Sequence, residues 1–325
     1  MGGDIGPRLC VAAGVSFLSQ HPSTSITFVG DQTEIDTCLK RQGNSVVGTG
    51  RIRILHTTDI VDTAEKAGIA LRHKRSSSMW KSLELLGNGE VDACVSGGNT
   101  GALMAMSRHL IGTFADINRP AICKLIPTAK NSSLLLDLGA NLECSAAQLV
   151  QFAVMGSSLA KVGGKQHPKV ALLNVGSEIT KGSEAIQEAA SLMRAHPAIE
   201  FGGFVEGNKL YSGDFDVIVC DGFVGNVALK VSEGVAAFIL DSLRKQMASN
   251  VIRKMAAVLI KPAMKSWSEQ INPSRYNGAA LLGLKKVVVK SHGGADAEGF
   301  HRALETAKEQ IEANIPAKIE NCLKL

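Results

Sequence analysis

The feature that most restricts the fold is a local unit repeated along the chain. A short run of Val, Ile and Leu is followed by a Gly/Asn/Asp loop and then by a helical pattern. Ser25 to Val29 leads into Gly30-Asp31 and a helix carrying Leu39. Val91 to Val95 leads into Ser96-Gly97-Gly98-Asn99-Thr100-Gly101, with Leu103, Met106 and Leu110 following at helical spacing. Leu134 to Leu136 leads into Asp137-Leu138-Gly139-Ala140-Asn141 and a helix through Leu149, Ala153 and Ser157. Val170 to Leu173 leads into Asn174-Val175-Gly176 and a helix through Ile186 and Leu192. Val217 to Cys220 leads into Asp221-Gly222-Phe223-Val224-Gly225-Asn226 and another helix. Strands alternating with helices predict an α/β fold with a mostly parallel sheet covered on both faces. At 325 residues the chain is read as one such domain, 1–325.

In open sheets of this kind ligands bind beyond the carboxyl ends of the strands. The loops are therefore expected to converge on one cleft. Each opens a helix, where unpaired backbone N–H groups and the helix dipole favour an anion. Glycine allows the backbone close to a phosphate, and asparagine adds side-chain donors without charge. Gly, Asn and Asp also dominate ordinary turns, which is the better reading of any single loop. Several such loops at one edge favour phosphate or phosphate-like chemistry.

Other chemistries lack their signatures. No G-x-G-x-x-G follows a strand, and no Gly-Lys-Ser/Thr closes a glycine loop, so nothing calls for a dinucleotide or ATP. There is no G-x-S-x-G for a serine nucleophile and no H-E-x-x-H for a metal. The seven cysteines are scattered without a C-x-x-C pair, which points to a reducing compartment and a cytoplasmic protein. Cys94, Cys123 and Cys220 lie in apolar runs and read as core residues, and Cys144 has no nearby histidine to make it an acyl acceptor. No uninterrupted apolar run is long enough to span a bilayer, and the N-terminus has no basic region followed by an apolar stretch. A net charge of +5 is compatible with an acidic partner. Nucleic acid is a poor partner, because the basic residues do not interleave with aromatics.

Eight segments, in order and across nearly the whole chain, resemble the phosphate:acyl-carrier-protein acyltransferases of bacterial phospholipid synthesis. They are Met1-Gly2-Gly3-Asp4-Ile5-Gly6-Pro7, Ser77-Ser78-Met79, Ser96 through Leu103, and Asp137 through Asn141. Asn174-Val175-Gly176 through Lys181-Gly182, Asp221 through Val227 and on to Lys230, Tyr276-Asn277-Gly278-Ala279, and Ser291-His292-Gly293 complete the set. The resemblance implies a Rossmann-like sheet of the isocitrate dehydrogenase/phosphotransacetylase type with a protruding C-terminal helical pair. It also implies a homodimer and no organic cofactor, while the histidine spacing already leaves no metal expected. The implied reaction moves a long acyl group from acyl carrier protein to inorganic phosphate. In that family an apolar strand precedes the Met-Gly-Gly-Asp motif. A further strand ahead of Met1 is therefore expected to belong inside the sheet.

Phosphate already carries negative oxygens, so catalysis needs positioning and oxyanion stabilisation rather than a side-chain nucleophile. Phosphate binding is assigned to Asn99, Thr100 and Gly101, with Asn141 and Asn226 nearby. Lys181 and Lys230 are the candidate cations for phosphate or oxyanion, the alternative for each being a solvated surface lysine. His292 is read as a proton donor to the leaving thiolate, or else as a loop histidine with a structural hydrogen bond. Gly98, Gly139 and Gly225 shape their loops, and Asp4 and Asp221 orient donors or cap turns.

From 232 to 269 the pattern becomes an amphipathic helical excursion, with Leu243, Met247, Val251, Met255 and Leu259 every four residues. Pro262 is expected to divide it into two helices. Such a stripe usually packs in a core or a dimer. The resemblance implies a protruding pair with Val258, Leu259 and Ile260 near its tip; these three, with the basic Arg253 and Lys254, are also a candidate contact for acyl carrier protein or an anionic membrane surface. The protein is thus read as cytoplasmic, with peripheral attachment to the inner face of the membrane as a further expectation.

Overall fold

The computed structural model describes residues 6–43, 46–115, 117–247 and 276–323, together with Arg253 and Ile260. Asp4, Lys254, Val258, Leu259 and Pro262 lie outside the described residues, as does most of the 232–269 excursion beyond Met247.

The chain begins with α1 (Pro7–Gln20), β1 (Ile26–Gly30), α2 (Gln32–Gln42), β2 (Ile52–His56), α3 (Ala67–His73) and α4 (Ser78–Asn88). It continues through β3 (Ala93–Ser96), α5 (Thr100–Leu110), β4 (Ala121–Pro127), β5 (Ser132–Leu136), α6 (Ala146–Val162) and β6 (Lys169–Leu173). Next come α7 (Glu184–Ala195), β7 (Glu200–Val205), β8 (Val217–Val219) and α8 (Gly222–Met247). The last elements are β9 (Ala279–Leu282), β10 (Val287–Lys290), α9 (Ala297–Glu312) and α10 (Ile315–Leu323). Polar caps set the helix starts. Asp31, Ser77, Asn99, Ser183 and Asp296 each accept from a backbone N–H of the first turn, and Ser145 forms a capping box with Gln148.

The main sheet has eight strands in the order β3-β10-β9-β4-β5-β8-β6-β7. Four of its ladders are parallel, but β9 and β4 pair antiparallel with each other and with their outer neighbours. One half of the sheet (β3, β10) therefore runs opposite to the other (β5, β8, β6, β7). A single cross-strand row, Val95–Val289–Ala280–Cys123–Leu136–Val219–Leu172, links seven strands. β3 and β10 end one residue past that row in one direction. β5, β8 and β6 end at it or one residue past it in the other. The carboxyl ends of the two halves thus face each other over the central β9–β4 pair, and the expected single cleft arises from two opposed half-sheets.

β1 and β2 form a separate parallel pair, so the Gly30-Asp31 loop is not part of that cleft. Among the described residues, the outer edges of β1 and β3 have no strand partner. They flank a cavity of about 660 Å³ lined by Ile26, Phe28, Cys94, Val95 and Phe300, reaching Gly97 and His292 at one end.

Alternation along the strands builds two cores. Leu134 and Leu136 of β5 face α6, α7 and α10 with Phe152, Met155, Met193 and Ile319. Leu135 points the other way, toward α4, α5 and α8, with Trp80, Leu83, Leu103, Met106 and Ile218. Both cores are fully dry at their centres: Phe152, Leu135, Leu136 and Met106 have no exposed surface.

α8 differs from the rest. Only Gly222 and Gly225 on it are buried, and Val224, Val227, Val231, Val235 and Phe238 form an exposed stripe. By length and composition alone it is the one helix among the described residues able to cross a membrane. The sequence criterion of an uninterrupted apolar run missed this because Lys230 and Glu233 divide the segment. Those same two residues tie its first half to the sheet, as follows.

Candidate active site

The loops on the β5/β8 side are knit around one buried carboxylate. Asp137 has no exposed surface and accepts from Ile122 N (2.8 Å), Leu138 N (2.6 Å), Ala140 N (3.3 Å), Asn141 N (2.7 Å) and Asn141 Nδ2 (2.9 Å). Burial pushes its pKa up, against the pull of these hydrogen bonds. Asn141 is 2% exposed and also donates to Pro120 O, so both its amide hydrogens serve the loop. The start of α8 closes on this loop through glycines. Gly222 N donates to Asn141 O at 2.6 Å, and a Cβ on Gly225 would lie 1.9 Å from the Asp137 carbonyl oxygen. Asp221 caps the turn by accepting from Val224 N at 2.8 Å. Gly139, at φ 115°, adopts a backbone that disfavours other residues and lies against Asn226.

On the opposing half, Asn99 caps α5 by accepting from Ala102 N at 2.9 Å, while its amide nitrogen donates to Asp62 O, Thr63 O and Glu65 O. Its side chain is thus committed to holding loop 62–65. What remains for an anion in this loop is the backbone at Thr100 and Gly101 in the first turn of α5. Gly98 N donates to Ser96 Oγ at 3.2 Å, which fixes the loop's shape.

α8 joins the two halves. Asn226, Lys230 and Glu233 recur at i, i+4 and i+7, so they share one face of the helix. Asn226 is exposed, stands beside Gly139 and has no hydrogen-bond partner among the described residues. Lys230 Nζ donates to Glu233 Oε2 at 2.8 Å and lies 3.1 Å from His292 Nε2. Glu233 Oε1 is 3.5 Å from Lys124 Nζ of β4, a lysine whose side chain is 11% exposed.

His292 is held from behind. Its backbone N–H donates to Asn277 Oδ1 at 3.0 Å, and the Asn277 amide donates to Ser291 Oγ and Gly299 O. Gly294 N–H donates to the ring Nδ1 at 3.1 Å, so Nδ1 carries the lone pair and the neutral ring carries its proton at Nε2. Burial first, and then the charge of Lys230, holds its pKa below the usual histidine range. Lys230 and His292 therefore meet donor to donor, with no lone pair between them.

The fourth catalytic candidate, Lys181, sits on a different loop. Asn174, 8% exposed, cinches that loop by donating to Gly176 O and Lys181 O, both at 3.1 Å. The Lys181 side chain is exposed, and among the described residues no side-chain hydrogen bond or ion pair joins it to another candidate. Arg253 and Ile260 are exposed and helical. Cys94, Cys144 and Cys220 offer no nucleophile: burial raises Cys144 to about 12 and Cys94 to about 12, and pushes Cys220 well up with help from Asp137.

Sequence reasoning missed Lys124, Glu233 and Asn277 as members of this site. A signal existed for Lys124, a charge inside the otherwise apolar run Ala121–Pro127. Glu233 could be found by stepping from Asn226 and Lys230 along one helix face.

Solved phosphotransacetylases share this fold. The phosphotransacetylase of Streptococcus pyogenes superposes with a TM-score of 0.65 at 16% identity, covering 94% of this chain and 92% of that one. A 4-hydroxythreonine-4-phosphate dehydrogenase from Klebsiella pneumoniae reaches 0.55 at 14% identity, covering 94% and 95%. At such identities the likeness concerns the fold. Sequence goes further. The family model described as fatty acid synthesis protein matches residues 1–318. A phosphate acyltransferase of Saccharophagus degradans is 58% identical over 99% of this chain and 94% of its own length. One from Teredinibacter turnerae is 56% identical over 99% and 97%. The chain belongs to the phosphate acyltransferase family, and it is an acyltransferase enzyme.

Proposed function

We propose that the protein transfers a long-chain acyl group from acyl carrier protein to inorganic phosphate, giving an acyl phosphate for phospholipid synthesis. The observation that carries this is the approach of Lys230 Nζ to His292 Nε2, 3.1 Å apart on the cleft face of α8, which is a meeting of two donors in the tautomer that the Gly294 N–H bond to Nδ1 selects. Two donors facing one another call for an anionic oxygen that accepts from both. Asn226 one turn away, and the backbone of Thr100 and Gly101, are further donors for phosphate. Lys181 is a peripheral cation for the acyl donor or for phosphate entry.

In the reaction an oxygen of hydrogenphosphate attacks the thioester carbonyl carbon, the C–O bond forms, and the C–S bond breaks with its electron pair on sulfur. The proton that hydrogenphosphate loses equals the one that the thiolate gains, so no net proton is needed. Lys230 and the Nε2–H of His292 stabilise the developing oxyanion. Because Nδ1 is occupied by Gly294 N–H, His292 acts by hydrogen bonding and keeps its own proton.

The exposed stripe of Val224, Val227, Val231, Val235 and Phe238 supports a homodimer formed through α8. The basic excursion, 232–269, is the proposed contact for acyl carrier protein and for an anionic membrane, and cytoplasmic location with peripheral attachment to that membrane is proposed with it. Flotation with anionic vesicles tests the membrane contact, and absence of binding at low salt would remove it.

The fold of the phosphotransacetylases favours a second reading, acyl transfer between coenzyme A and phosphate. Comparison of kcat/KM for palmitoyl-acyl carrier protein, palmitoyl-coenzyme A and acetyl-coenzyme A, with hydroxylamine trapping of the acyl phosphate, separates the two. The proposal expects the carrier-protein thioester to be preferred. Preference for acetyl-coenzyme A would replace it with the second reading. A folded protein active on none of them would leave only a carrier-protein or membrane scaffold.

A further inference from the structure

Lys124 is out of place for a buried strand residue. It follows the alternation of β4, sharing a face with Ile122 and Ile126, both of which are buried in the core beneath α4, α5 and α8. An aliphatic side chain would fill that position without the cost of desolvating an ammonium group. Burial lowers the Lys124 pKa, and Glu233 partly restores it. Glu233 in turn lies between two cations. Burial raises its pKa, but the hydrogen bond from Lys230 and the charges of Lys124, Lys230 and His292 more than offset this.

The geometry points to Lys124 and Glu233 as a positioning pair for the anion-facing groups. Glu233 Oε2 fixes Lys230 Nζ at 2.8 Å, and Lys124 fixes Glu233 through its other oxygen at 3.5 Å. This rests on the proposed role of Lys230 and His292. Glu233 aims the Lys230 ammonium at His292 Nε2 instead of letting a four-carbon side chain sweep through solvent. Sharing one carboxylate between two lysines leaves one positive charge uncompensated at the cleft, where an anion must bind. Lys124, seated on the sheet, relates that charge to the rigid core rather than to the helix alone.

The groups that face His292 are Lys230 and Glu233 of α8, Lys290 of β10 and Lys124 of β4. Their signs make the pair testable without turnover. Glu233 raises the His292 pKa and Lys124 lowers it. Glu233→Gln should therefore lower the ring's titration midpoint and Lys124→Met should raise it, as read by NMR of the free protein. In steady-state assays both variants should raise KM for inorganic phosphate by about tenfold, the equivalent of one charge-assisted contact, while leaving KM for the acyl donor within twofold.

Lys124→Met alone strands a carboxylate and can destabilise the fold. The double variant Lys124→Met/Glu233→Gln leaves no buried charge unpaired, since the Lys230 that loses its carboxylate is exposed, and should melt near wild type while keeping the raised phosphate KM. Opposite shifts of His292, with the KM effect surviving in the double variant, would support the positioning role. Shifts in the same direction or none, with an unchanged phosphate KM in a stably folded double variant, would make the pair a packing feature and overturn it. If wild-type protein shows no phosphate-dependent turnover, the reaction reading fails, and the opposite NMR shifts still decide the positioning role.

Discussion

Gly225→Ala tests whether the seat of α8 sets the geometry of the cleft. The added methyl would stand 1.9 Å from the Asp137 carbonyl oxygen and 2.8 Å from Cys220 Sγ. A carbon–oxygen contact settles near about 3.3 Å, so α8 must retreat by about 1.4 Å. Asp137 cannot yield instead, because its carboxylate is fully buried and held by Ile122 N, Leu138 N, Ala140 N and Asn141. Overpacking of this kind costs about 1–3 kcal/mol. A displacement of that size also carries Lys230 away from His292, five residues further along the helix. Misplacement by about 1 Å in a positioning site costs about a hundredfold in rate. The assay pairs thermal unfolding with phosphate-dependent release of free acyl carrier protein from palmitoyl-acyl carrier protein. Asn226→Ala is the control on the same helical turn: its side chain is exposed and has no hydrogen-bond partner among the described residues, so stability should stay within about 0.5 kcal/mol while activity falls. If Gly225→Ala melts like wild type and turns over at the wild-type rate, the contact does not seat α8 and the reasoning fails.

Three further outcomes are expected. His292 has its pKa depressed by burial and by Lys230, so kcat/KM should fall only on the acid side of the ordinary histidine range, and His292→Gln should lose that limb. The unfolded ring takes up its proton first, so the stabilisation from neutral His292 is complete above the ordinary histidine range. It is lost as pH falls through that range toward the folded value, which a pH series of unfolding curves would show. Asp137→Asn places an amide donor among four backbone N–H groups and the Asn141 amide, and should cost about 3 kcal/mol in chemical denaturation. Phe238→Glu, in the exposed stripe of α8, should convert the proposed dimer to monomer in sedimentation velocity; an unchanged assembly would place the interface elsewhere.

The legible part of the fold was its local grammar. The runs at Leu134–Leu136, Val170–Leu173 and Val217–Cys220 became β5, β6 and β8, because Val, Ile and Leu runs between glycine loops admit few other conformations. β4 and β9 escaped notice, since Ala121–Pro127 contains Lys124 and Ala279–Leu282 has little β-branched character. Missing that antiparallel pair hid the reversal of strand direction, and with it the way the loops oppose each other. The β4–β9 pairing depends on contacts such as that of Cys123 with Ala280, far apart in sequence, which no local pattern encodes. At the site, Lys230 and His292 were legible as motif residues, and the structure brings them together. Asn99 and Asn141 were read as phosphate ligands for the same reason. Their side chains prove to be bonded within the protein, because an asparagine that shapes a loop and one that serves a ligand leave the same mark on the sequence. Glu233 fell in a segment read as a generic amphipathic helix, where its pairing with a lysine on a distant strand left no trace.

Release of free carrier protein from palmitoyl-acyl carrier protein, with and without inorganic phosphate, tests the central claim most directly when wild type is set beside Lys230→Met. The account predicts release that requires phosphate and yields a hydroxylamine-trappable acyl phosphate, with kcat/KM in Lys230→Met lower by about a hundredfold. Release that ignores phosphate, or a Lys230→Met variant as active as wild type, would contradict it.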